Sequence, residues 1–242
     1  MSYNKSTMKK LIIIPAFNEE VNIERTVENI KKDAPGFDYV IINDCSTDST
    51  RKICEEKGYR VVNLPINLGI GGAVQTGYKY ALRHDYDVVV QVDGDGQHDI
   101  GYVKDIIKPI LSNKADMVIG SRFIDDSTSN FKSSFTRRIG INVISSVIKL
   151  KTGVKIFDTT SGFRAINKTV LEIFSNDYPR EYPEPISTVN ILCNGLNVNE
   201  VGVSMNERIG GVSSIKSWKT AYYMINVVLS ILLMKGKKQN GK

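Results

Sequence analysis

Two aspartates, Asp93 and Asp95, follow an apolar run and alternate with glycines in the stretch VDGDGQH. Two carboxylates two residues apart on such a turn can converge on one hard divalent cation and on the diphosphate or ribose that the cation bridges. The glycines remove the Cβ atoms that would block a ligand. Asp and Gly also favour ordinary solvent-facing turns, so the motif alone leaves both interpretations open.

A third carboxylate strengthens the interpretation as a binding site. Asp44 ends another apolar run, residues 39–44, in the same way that Asp93 ends residues 87–92. If both runs are parallel strands, their carboxyl ends lie on the rim of the sheet where α/β proteins bind ligands. Three acids on one rim repel each other, and a bound cation offsets that repulsion. A nucleoside diphosphate compound needs such a cation and an acid that recognises its base.

The elements that must position these acids follow from the hydrophobic periodicity. The first half of the chain alternates short β-rich runs with amphipathic helical patterns of about ten residues. This alternation predicts right-handed βαβ units, and hence an α/β protein with a mostly parallel central sheet flanked by helices. The predicted strands are 11–17, 39–44, 59–64 and 87–92, and the predicted helices are one N-capped by Asn18, then 46–57 and 71–83.

The second half has a different rhythm. A polar loop over 121–134 precedes a predicted helix that carries Phe135, Ile139, Val143 and Val147 on one face. The irregular stretch DTTSGFRA follows at 158–165, and we expect a helix over 185–194 and a strand over 201–205. Irregular loops of this kind often form the acceptor side of a site.

The glycines at 69–72 do not complete a known phosphate motif. A GxGxxG pattern from Gly69 would need glycine where Val74 stands, and the chain has no GxxxxGK[ST] sequence. Two interpretations of Gly71 remain open. In the first, the backbone amides at the start of the predicted helix over 71–83 face a phosphate or a sugar. In the second, the glycine lets this helix pack closely against a strand.

Seven ordered motifs carry a family resemblance: IIIPAFNEE, INDCSTDST, NLGIGGA, VDGDGQH, GSRF, DTTSGFRA and ERIGGVSSI. Over residues 10–215 the chain resembles glycosyltransferase family 2, and most closely the branch of dolichol-phosphate mannose synthase and bacterial polyprenyl-phosphate glycosyltransferases. The resemblance implies a GT-A fold, a single Rossmann-like catalytic domain over 1–215, a nucleotide-sugar donor, Mg²⁺ or Mn²⁺, and inversion at the anomeric carbon. It favours a UDP-sugar and leaves a GDP-sugar open.

Matching positions assign residues to the donor side of this implied site. Asp95 is the implied principal metal ligand, with Asp93 on the ion or the ribose, and Gln97 joins both acids as an implied catalytic residue. Asn43 stands where the family usually has an aspartate. This difference affects secondary contacts to the donor more than it affects the base contact implied for Asp44. The implied donor-binding residues are Pro15, Phe17, Asn18, Asp44, Asn67, Gly71 and Asp93.

The nature of the acceptor remains open. Three arginines that we expect in loops can clamp a lipid phosphate, since guanidinium groups bind phosphate in a bidentate way. A hydroxyl acceptor needs a general base instead, and Glu184 in the turn at 183–185 is the best candidate. A third hypothesis is a catalytically silent nucleotide-sugar-binding scaffold. The implied acceptor or phosphate residues are His98, Arg122, Ser161, Arg164, Arg208 and Ser213.

The C-terminal segment, residues 216–242, separates from the predicted catalytic domain. Residues 221–234 are almost entirely apolar, with Trp218 before them and lysines after them, but a helix of this length is short for a bilayer core. We expect an in-plane helix on the cytoplasmic face of the membrane, with docking on the domain or in a dimer as alternatives. The formal charge of +6 lies partly in this lysine tail, and we expect no nucleic-acid partner. Three cysteines without metal-type spacing support neither a disulfide framework nor a zinc site.

Overall fold

The computed structural model describes residues 8–124, 135–206 and 217–234. In these residues the chain forms one seven-stranded sheet in which the sixth strand along the chain is antiparallel to both neighbours and every other pair is parallel. This confirms the predicted α/β class with a mostly parallel sheet. The strands are β1 (Lys10–Ala16), β2 (Asp38–Asn43), β3 (Val61–Asn63), β4 (Val88–Gln91), β5 (Met117–Ser121), β6 (Arg164–Asn167) and β7 (Val198–Gly202), in the order β3-β2-β1-β4-β6-β5-β7.

Helices cover both faces of the sheet. One hydrophobic cluster contains Tyr78, Ile144 and Val189, and the other contains Val27 and Ile106. The helices of the first layer are α3 (Gly69–Arg83), α5 (Phe135–Thr152), α6 (Lys168–Asn176), α7 (Pro183–Cys193) and α8 (Ser217–Leu233), and those of the second are α1 (Ile23–Asp33), α2 (Thr50–Glu56) and α4 (Val103–Leu111).

Strand β1 shows why the first apolar run is continuous. Leu11 and Ile13 pack in one cluster, whereas Ile12 and Ile14 pack in the other, and all four are fully buried. A strand that is covered on both faces needs apolar residues at every position, because its successive side chains point in opposite directions. The strand lies between β2 and β4, so it sets the separation of the two acidic strand ends.

Two predicted helix starts are wrong. Helix α1 begins at Ile23, with Asn22 before it, and Asn18 instead takes a left-handed conformation with φ 57°. Helix α2 begins at Thr50 rather than at 46. The physical reason is that residues 18–20 hydrogen-bond to residues 46–50 across the sheet rim, so residues 18–20 and 46–49 lie outside the helices.

The apolar residues that the periodicity picks out on α5 do not all lie on its buried face. Ile139 and Val143 are 49% and 43% exposed, whereas Ile141, Ile144 and Ile148 are buried. This helix carries apolar residues on two faces, and periodicity does not tell which of them meets the sheet. The side chain of Phe135 lies outside the described residues.

Helix α8 packs against α5 and α7, with Val227 and Ile231 fully buried. Among the described residues, no helix combines the length and the apolar character that crossing a bilayer requires. The lysine tail after Met234 lies outside the described residues, and the predicted domain boundary at 215 stays a prediction.

The tightest helix packing occurs at Gly71, in the first turn of α3. A Cβ added there would lie 2.3 Å from the carbonyl oxygen of Pro179 and 2.5 Å from that of Arg180. Both contacts are to backbone, which cannot rotate away. Gly71 therefore lets α3 pack closely against the loop at 179–180 rather than against a strand, and its donor-binding role stays a prediction.

We expect Gly71→Ala to lower the free energy of unfolding by about 1–3 kcal/mol, because overpacking exceeds the gain in helix propensity of about 1 kcal/mol. Urea unfolding measures the change. Gly36→Ala is the control, since its added Cβ would meet only Lys10 Nζ at 3.9 Å. An unchanged or raised stability of Gly71→Ala would contradict this packing.

Candidate active site

The loops after β1 and β2 are joined by Asn18. Its backbone N–H donates to Ser46 Oγ at 3.0 Å, and its Oδ1 accepts from the backbone N–H of Thr47 at 2.8 Å. A second side chain of the loop after β1 makes a bond of the same kind, since the backbone N–H of Ser49 donates to Glu20 Oε2 at 2.8 Å. Asn18 therefore holds two rim loops together.

Asp44 lies at the centre of this joined rim. The residue is 3% exposed, its backbone N–H donates to the Ala16 carbonyl at 2.9 Å, and its Oδ1 accepts from the backbone N–H of Leu68 at 2.7 Å. Leu68, which donates to Asp44, is 40% exposed, and Phe17, which follows Ala16 in the chain, is 46% exposed. An oriented carboxylate with exposed apolar residues nearby in the same loops suits a flat, hydrogen-bonding ring such as a nucleobase.

The other predicted donor residues on this side have structural contacts. Pro15 is buried within β1, and its carbonyl accepts from the backbone N–H of Gly94 at 3.2 Å. Asn67 is exposed, and its side chain bridges the Asp44 carbonyl at 3.2 Å and the backbone N–H of Gly69 at 3.0 Å. Pro15 thus supports the acidic turn from below, and Asn67 fixes the approach to α3.

Asp93 follows the end of β4 with its side chain 35% exposed. Its Oδ1 accepts from Gln91 Nε2 at 3.3 Å, and its Oδ2 lies 3.6 Å from His98 Nε2. The backbone N–H of Asp93 donates to His98 Nδ1 at 3.0 Å, so the neutral imidazole carries its proton on Nε2, toward the carboxylate. Asp93 is therefore held from two sides.

His98 supports Asp93 from within the protein. The residue is 5% exposed, and its ring stacks on Phe163 with a centroid distance of 4.9 Å and an interplanar angle of 14°. The sequence interpretation placed His98 near the diphosphate or the acceptor. The structure gives it a contact to Asp93 instead, and an acceptor contact stays a prediction.

The turn that carries Asp95 has a fixed backbone shape. Asp95 Oδ1 accepts from the backbone N–H of Gln97 at 3.0 Å, and Gly96 has φ 71°. A Cβ at Gly96 would lie 2.6 Å from Arg25 Nη2, and Thr26 Oγ1 donates to the Gly94 carbonyl at 3.3 Å. Helix α1 thus supports the turn, and the glycines of the turn allow that contact.

The residues at this turn fit a divalent cation that is shared with a ligand. In the described part of the chain, no group of three or more Asp, Glu, His or Cys side chains is arranged to hold a metal ion. Asp93 and Asp95 offer hard carboxylate oxygens, and a Cβ at Gly162 would lie 2.8 Å from Asp93 Oδ2, so the glycine keeps that side open. Mg²⁺ and similar ions take one or two carboxylates and complete their shell with phosphate and water.

Arg122 forms a buried ion pair. Its Nε and Nη2 donate to the two oxygens of Asp158 at 2.7 and 2.8 Å, with the arginine 5% and the aspartate 0% exposed. Burial alone raises the pKa of the Asp158 carboxyl, but the hydrogen bonds and charge of Arg122 outweigh it, so the pKa lies below its usual value. Glu200 accepts from the backbone N–H groups of Phe157 and Asp158 at 2.7 and 2.8 Å. Arg122 thus shapes the 157–160 loop, and its phosphate-binding role stays a prediction.

The expectation that Arg164 lies in a loop is wrong. It is the first residue of β6 and is 1% exposed, because this strand inserts between β4 and β5. Its Nε donates to the Ser161 carbonyl at 2.7 Å, and its Nη1 donates to Ser187 Oγ at 3.0 Å. Ser161 is also 1% exposed, so both residues lie beneath the surface that a ligand would reach.

Glu184 lies in the first turn of α7 and is electrostatically coupled to Asp93. Burial raises the pKa of its carboxyl, the positive charge of Arg164 opposes that rise, and the negative charge of Asp93 adds to it. A carboxyl with a raised pKa near an acidic metal-type turn can accept or hold a proton. The charges of Asp93 and Arg164 therefore both act on the Glu184 carboxyl in this structure.

Two predicted acceptor residues, Arg208 and Ser213, lie outside the described residues. Several positioning residues escaped sequence reasoning, and only one left a clear signal. Gln91 is a polar residue inside the apolar run VVVQV, which marks it as unusual for a buried strand. The others that the sequence analysis missed are Arg25, Thr26, Asp158, Gly162 and Glu200.

A sequence model of the family described as "Glycosyl transferase family 2" matches residues 11–174, which include both acidic strand ends. The chain belongs to glycosyl transferase family 2. It is 32% identical over 213 residues to the UDP-N-acetylglucosamine–dolichyl-phosphate N-acetylglucosaminyltransferase of Methanococcus voltae, covering 79% of this chain and 83% of that protein. It is 27% identical over 223 residues to the polyprenol monophosphomannose synthase of Mycolicibacterium smegmatis, covering 87% and 82%.

Comparison with solved structures supports the fold. The glucosyl-3-phosphoglycerate synthase of Mycobacterium tuberculosis, crystallised with Mn²⁺, UDP and glucosyl-3-phosphoglycerate, is similar with a TM-score of 0.71 at 19% identity, covering 95% of this chain and 80% of that one. At this identity the likeness establishes the GT-A-type architecture and leaves ligands to be argued from this chain's own residues. The chain is thus a glycosyltransferase of the branch that the sequence motifs resemble.

We expect Glu184→Gln to raise the free energy of unfolding at pH 7. Because the folded state raises the pKa of Glu184, the native protein binds more protons than the unfolded chain between the unfolded pKa of about 4.3 and the higher folded pKa. Wild-type stability therefore falls as the pH rises through that window, and the neutral amide avoids this loss. Urea unfolding at pH 4 and pH 7 should show the two proteins converging at the lower pH, whereas equal stability at pH 7 would contradict the assignment.

Proposed function

We propose that this glycosyltransferase moves a sugar, with inversion, from a nucleotide-sugar to a polyprenyl phosphate in a divalent-metal-dependent reaction. The observation that carries the proposal is the pair of acidic strand ends, Asp44 after β2 and Asp93 with Asp95 after β4, on one rim with β1 between them. A UDP-sugar is the favoured donor, with a GDP-sugar as the alternative. Two relatives whose names specify dolichyl or polyprenol phosphate chemistry support the acceptor.

The separation of the acids suits a nucleoside diphosphate. Strands β2 and β4 are two strand spacings apart, roughly 10 Å, so Asp44 and Asp93 lie on opposite sides of the end of β1. In the proposed site, Asp44 with Phe17 and Leu68 binds the base, and the ribose and diphosphate extend toward Asp93 and Asp95. Each acid is oriented by hydrogen bonds before the ligand arrives, which lowers the cost of binding.

The proposed metal site uses Asp95 and Asp93, and Gln97 lies in the same turn. A divalent ion held there, Mg²⁺ or Mn²⁺, would offset the charge that grows on the leaving diphosphate. Asp95 supplies one carboxylate oxygen from a turn that its bond to the Gln97 N–H has already shaped. Asp93 is held by Gln91 and His98, so its oxygens present a fixed geometry to the ribose or the ion.

A lipid phosphate is already ionised and needs no general base, which makes it the simpler acceptor for this site. A hydroxyl acceptor is the second candidate, and one observation favours it. Glu184 has a raised pKa and is coupled to Asp93, which are the properties of a base that takes a proton from an attacking hydroxyl. The two acceptors therefore predict different consequences for Glu184→Gln.

The membrane contact is proposed from two exposed apolar faces. Ile225, Leu229 and Leu233 recur on one side of α8, at 60%, 50% and 78% exposure, opposite the buried Val227. Helix α5 likewise exposes Leu150, at 82%. Faces of this kind suit a helix pair that lies on the inner leaflet, where a lipid phosphate emerges, and a dimer interface is the competing occupant.

A transfer assay tests the function directly. Labelled UDP- and GDP-sugars are incubated with polyprenyl phosphate and Mg²⁺ or Mn²⁺, and label in the organic phase is counted. We expect transfer by the wild type and a loss of about 100-fold or more in kcat/KM for Asp95→Asn, because a stabiliser of developing charge is removed. Asp99→Asn is the matched control, since Asp99 only caps the adjoining turn, accepting from the Gly101 N–H at 2.9 Å.

Two outcomes of this assay would overturn the acceptor assignment. Label that appears only in water-soluble glycan would favour the hydroxyl acceptor, and Glu184→Gln should then abolish the acidic limb of the pH–rate profile, because a general base must be deprotonated to act. With a lipid phosphate, Glu184→Gln should leave that limb in place. Equal activity of Asp95→Asn and wild type would contradict the metal-site role.

Vesicle flotation tests the membrane contact. We expect the intact chain to float with vesicles that contain anionic lipid, and Leu229→Gln with Leu233→Gln to weaken binding at least about tenfold, since two exposed leucines lose their burial in lipid. Val21→Gln is the control, because Val21 is 66% exposed on α1's side of the sheet. A wild type that stays with the aqueous phase, or a dimer that the double variant converts to monomer, would contradict the membrane assignment.

A further inference from the structure

One row of laterally paired residues across the sheet, beneath the candidate active site, has polar residues at its middle. A sheet that is covered by helices normally has apolar residues there. Ile13, Gln91, Arg164 and Ile119 lie side by side across β1, β4, β6 and β5. The two outer residues are fully buried isoleucines, and the two inner residues are each 1% exposed. A glutamine and an arginine thus occupy the middle of a covered row.

This polar pair is incompletely satisfied. In the described part of the protein, Gln91 Oε1 and Arg164 Nη2 are buried and have no hydrogen-bond partner. Leaving such atoms unpaired is costly, and apolar residues of similar size are often at least as stable in such positions. Local rules are broken in this way mainly at functional sites, so the row calls for a reason other than stability.

The contacts of Gln91 supply that reason. Its Nε2 donates to Asp93 Oδ1 at 3.3 Å, and this bond fixes which end of the amide faces the carboxylate. Gly162 lies against both the Gln91 and the Asp93 side chains, since an added Cβ would lie 3.1 Å from Gln91 Nε2 and 2.8 Å from Asp93 Oδ2. His98 Nε2 lies 3.6 Å from the other carboxylate oxygen, so the Asp93 carboxylate has a polar neighbour on each side.

We propose that Gln91 is a positioning residue, which orients the Asp93 carboxylate for the bound nucleotide and its divalent ion. This inference rests on the proposed function and adds a residue to its donor site. The neighbouring Arg164 lies beside Gln91 in the register of β4 and β6, on the same face of the sheet. Gln91 acts only through Asp93, so its removal should weaken binding of the ion with the nucleotide before it alters anything on the acceptor side.

The test measures Mn²⁺ binding in the presence of UDP by electron paramagnetic resonance, which does not depend on turnover. We expect Gln91→Met, which keeps side-chain length but loses the amide, to raise the Kd of Mn²⁺ about tenfold. In the transfer assay the KM for donor should rise while the KM for acceptor stays unchanged. Gln91→Leu, which suits a buried strand, provides a second variant if the first is not folded.

Gln75→Met is the matched control. Gln75 is less buried than Gln91, and the Gln75 amide donates to the carbonyls of Phe174 and Ser175 at 3.5 and 3.4 Å, away from the rim. It should reproduce any loss of stability that follows from removing a glutamine amide, but not the loss of Mn²⁺ affinity. Equal Mn²⁺ affinity of Gln91→Met, Gln91→Leu and the wild type would overturn the proposal.

A double-mutant cycle with Asp93→Asn makes the test specific. If Gln91 acts through Asp93, Gln91→Met adds no further loss of Mn²⁺ affinity to Asp93→Asn, whereas full additivity would overturn the positioning role. A wild type that binds no Mn²⁺ with UDP also overturns it. A wild type that binds both but transfers no sugar defeats the proposed function alone, because the effect of Gln91 on Mn²⁺ binding remains measurable.

Discussion

The carboxylates of Asp44, Asp93 and Asp95 lie at one edge of the sheet, and the other features of the site depend on this placement. Carboxylates at the ends of β2 and β4 repel each other, and each is kept in place by hydrogen bonds that come from the neighbouring strand or loop. Asp44 accepts from the Leu68 N–H, Asp95 accepts from the Gln97 N–H, and Asp93 is held by Gln91 and His98. The protein thus spends stability on a preorganised rim whose charge a cation and a nucleotide can use.

A second set of charges lies below the rim and shapes the other side of the site. Glu200 holds the backbone at Phe157 and Asp158, Asp158 holds Arg122, and Arg164 is tied to Ser161 and Ser187. Buried pairs of this kind contribute little net stability compared with apolar packing, but removing one partner is costly. They act here as a rigid frame for the irregular 157–162 loop, which regular secondary structure does not support.

The sequence was most informative where one physical rule dominated. The apolar run at 11–17 predicted a strand, and the alternation of strands and helices predicted the mostly parallel sheet. Asp44, Asp93 and Asp95 were found because acids at strand ends stand out against apolar runs. Rules that compete locally were less reliable, as at Asn18, whose side chain joins two loops instead of capping a helix. The two apolar faces of α5 gave the same periodicity, and only the tertiary structure shows that Ile144 packs inward.

Positioning residues were hardest to recognise, because their role depends on a partner far away in the sequence. Gly162 matters only because Asp93 approaches it, and Asp158 only because Arg122 does. Arg164 resembled a ligand-binding arginine in sequence and is a buried strand residue in the structure. Motifs therefore marked the region of the proposed site, while the roles of the residues within it depend on the pairing of β4 with β6.

The central claim is that the rim seats a divalent ion and a nucleotide together. A crystal structure with Mn²⁺ and a UDP-sugar, with anomalous data collected at the manganese edge, tests it most directly. The account predicts an anomalous peak at coordination distance, about 2.2 Å, from a carboxylate oxygen of Asp95, with the base against Asp44. A peak at any other group of side chains, or a nucleotide bound away from the ends of β2 and β4, would contradict it.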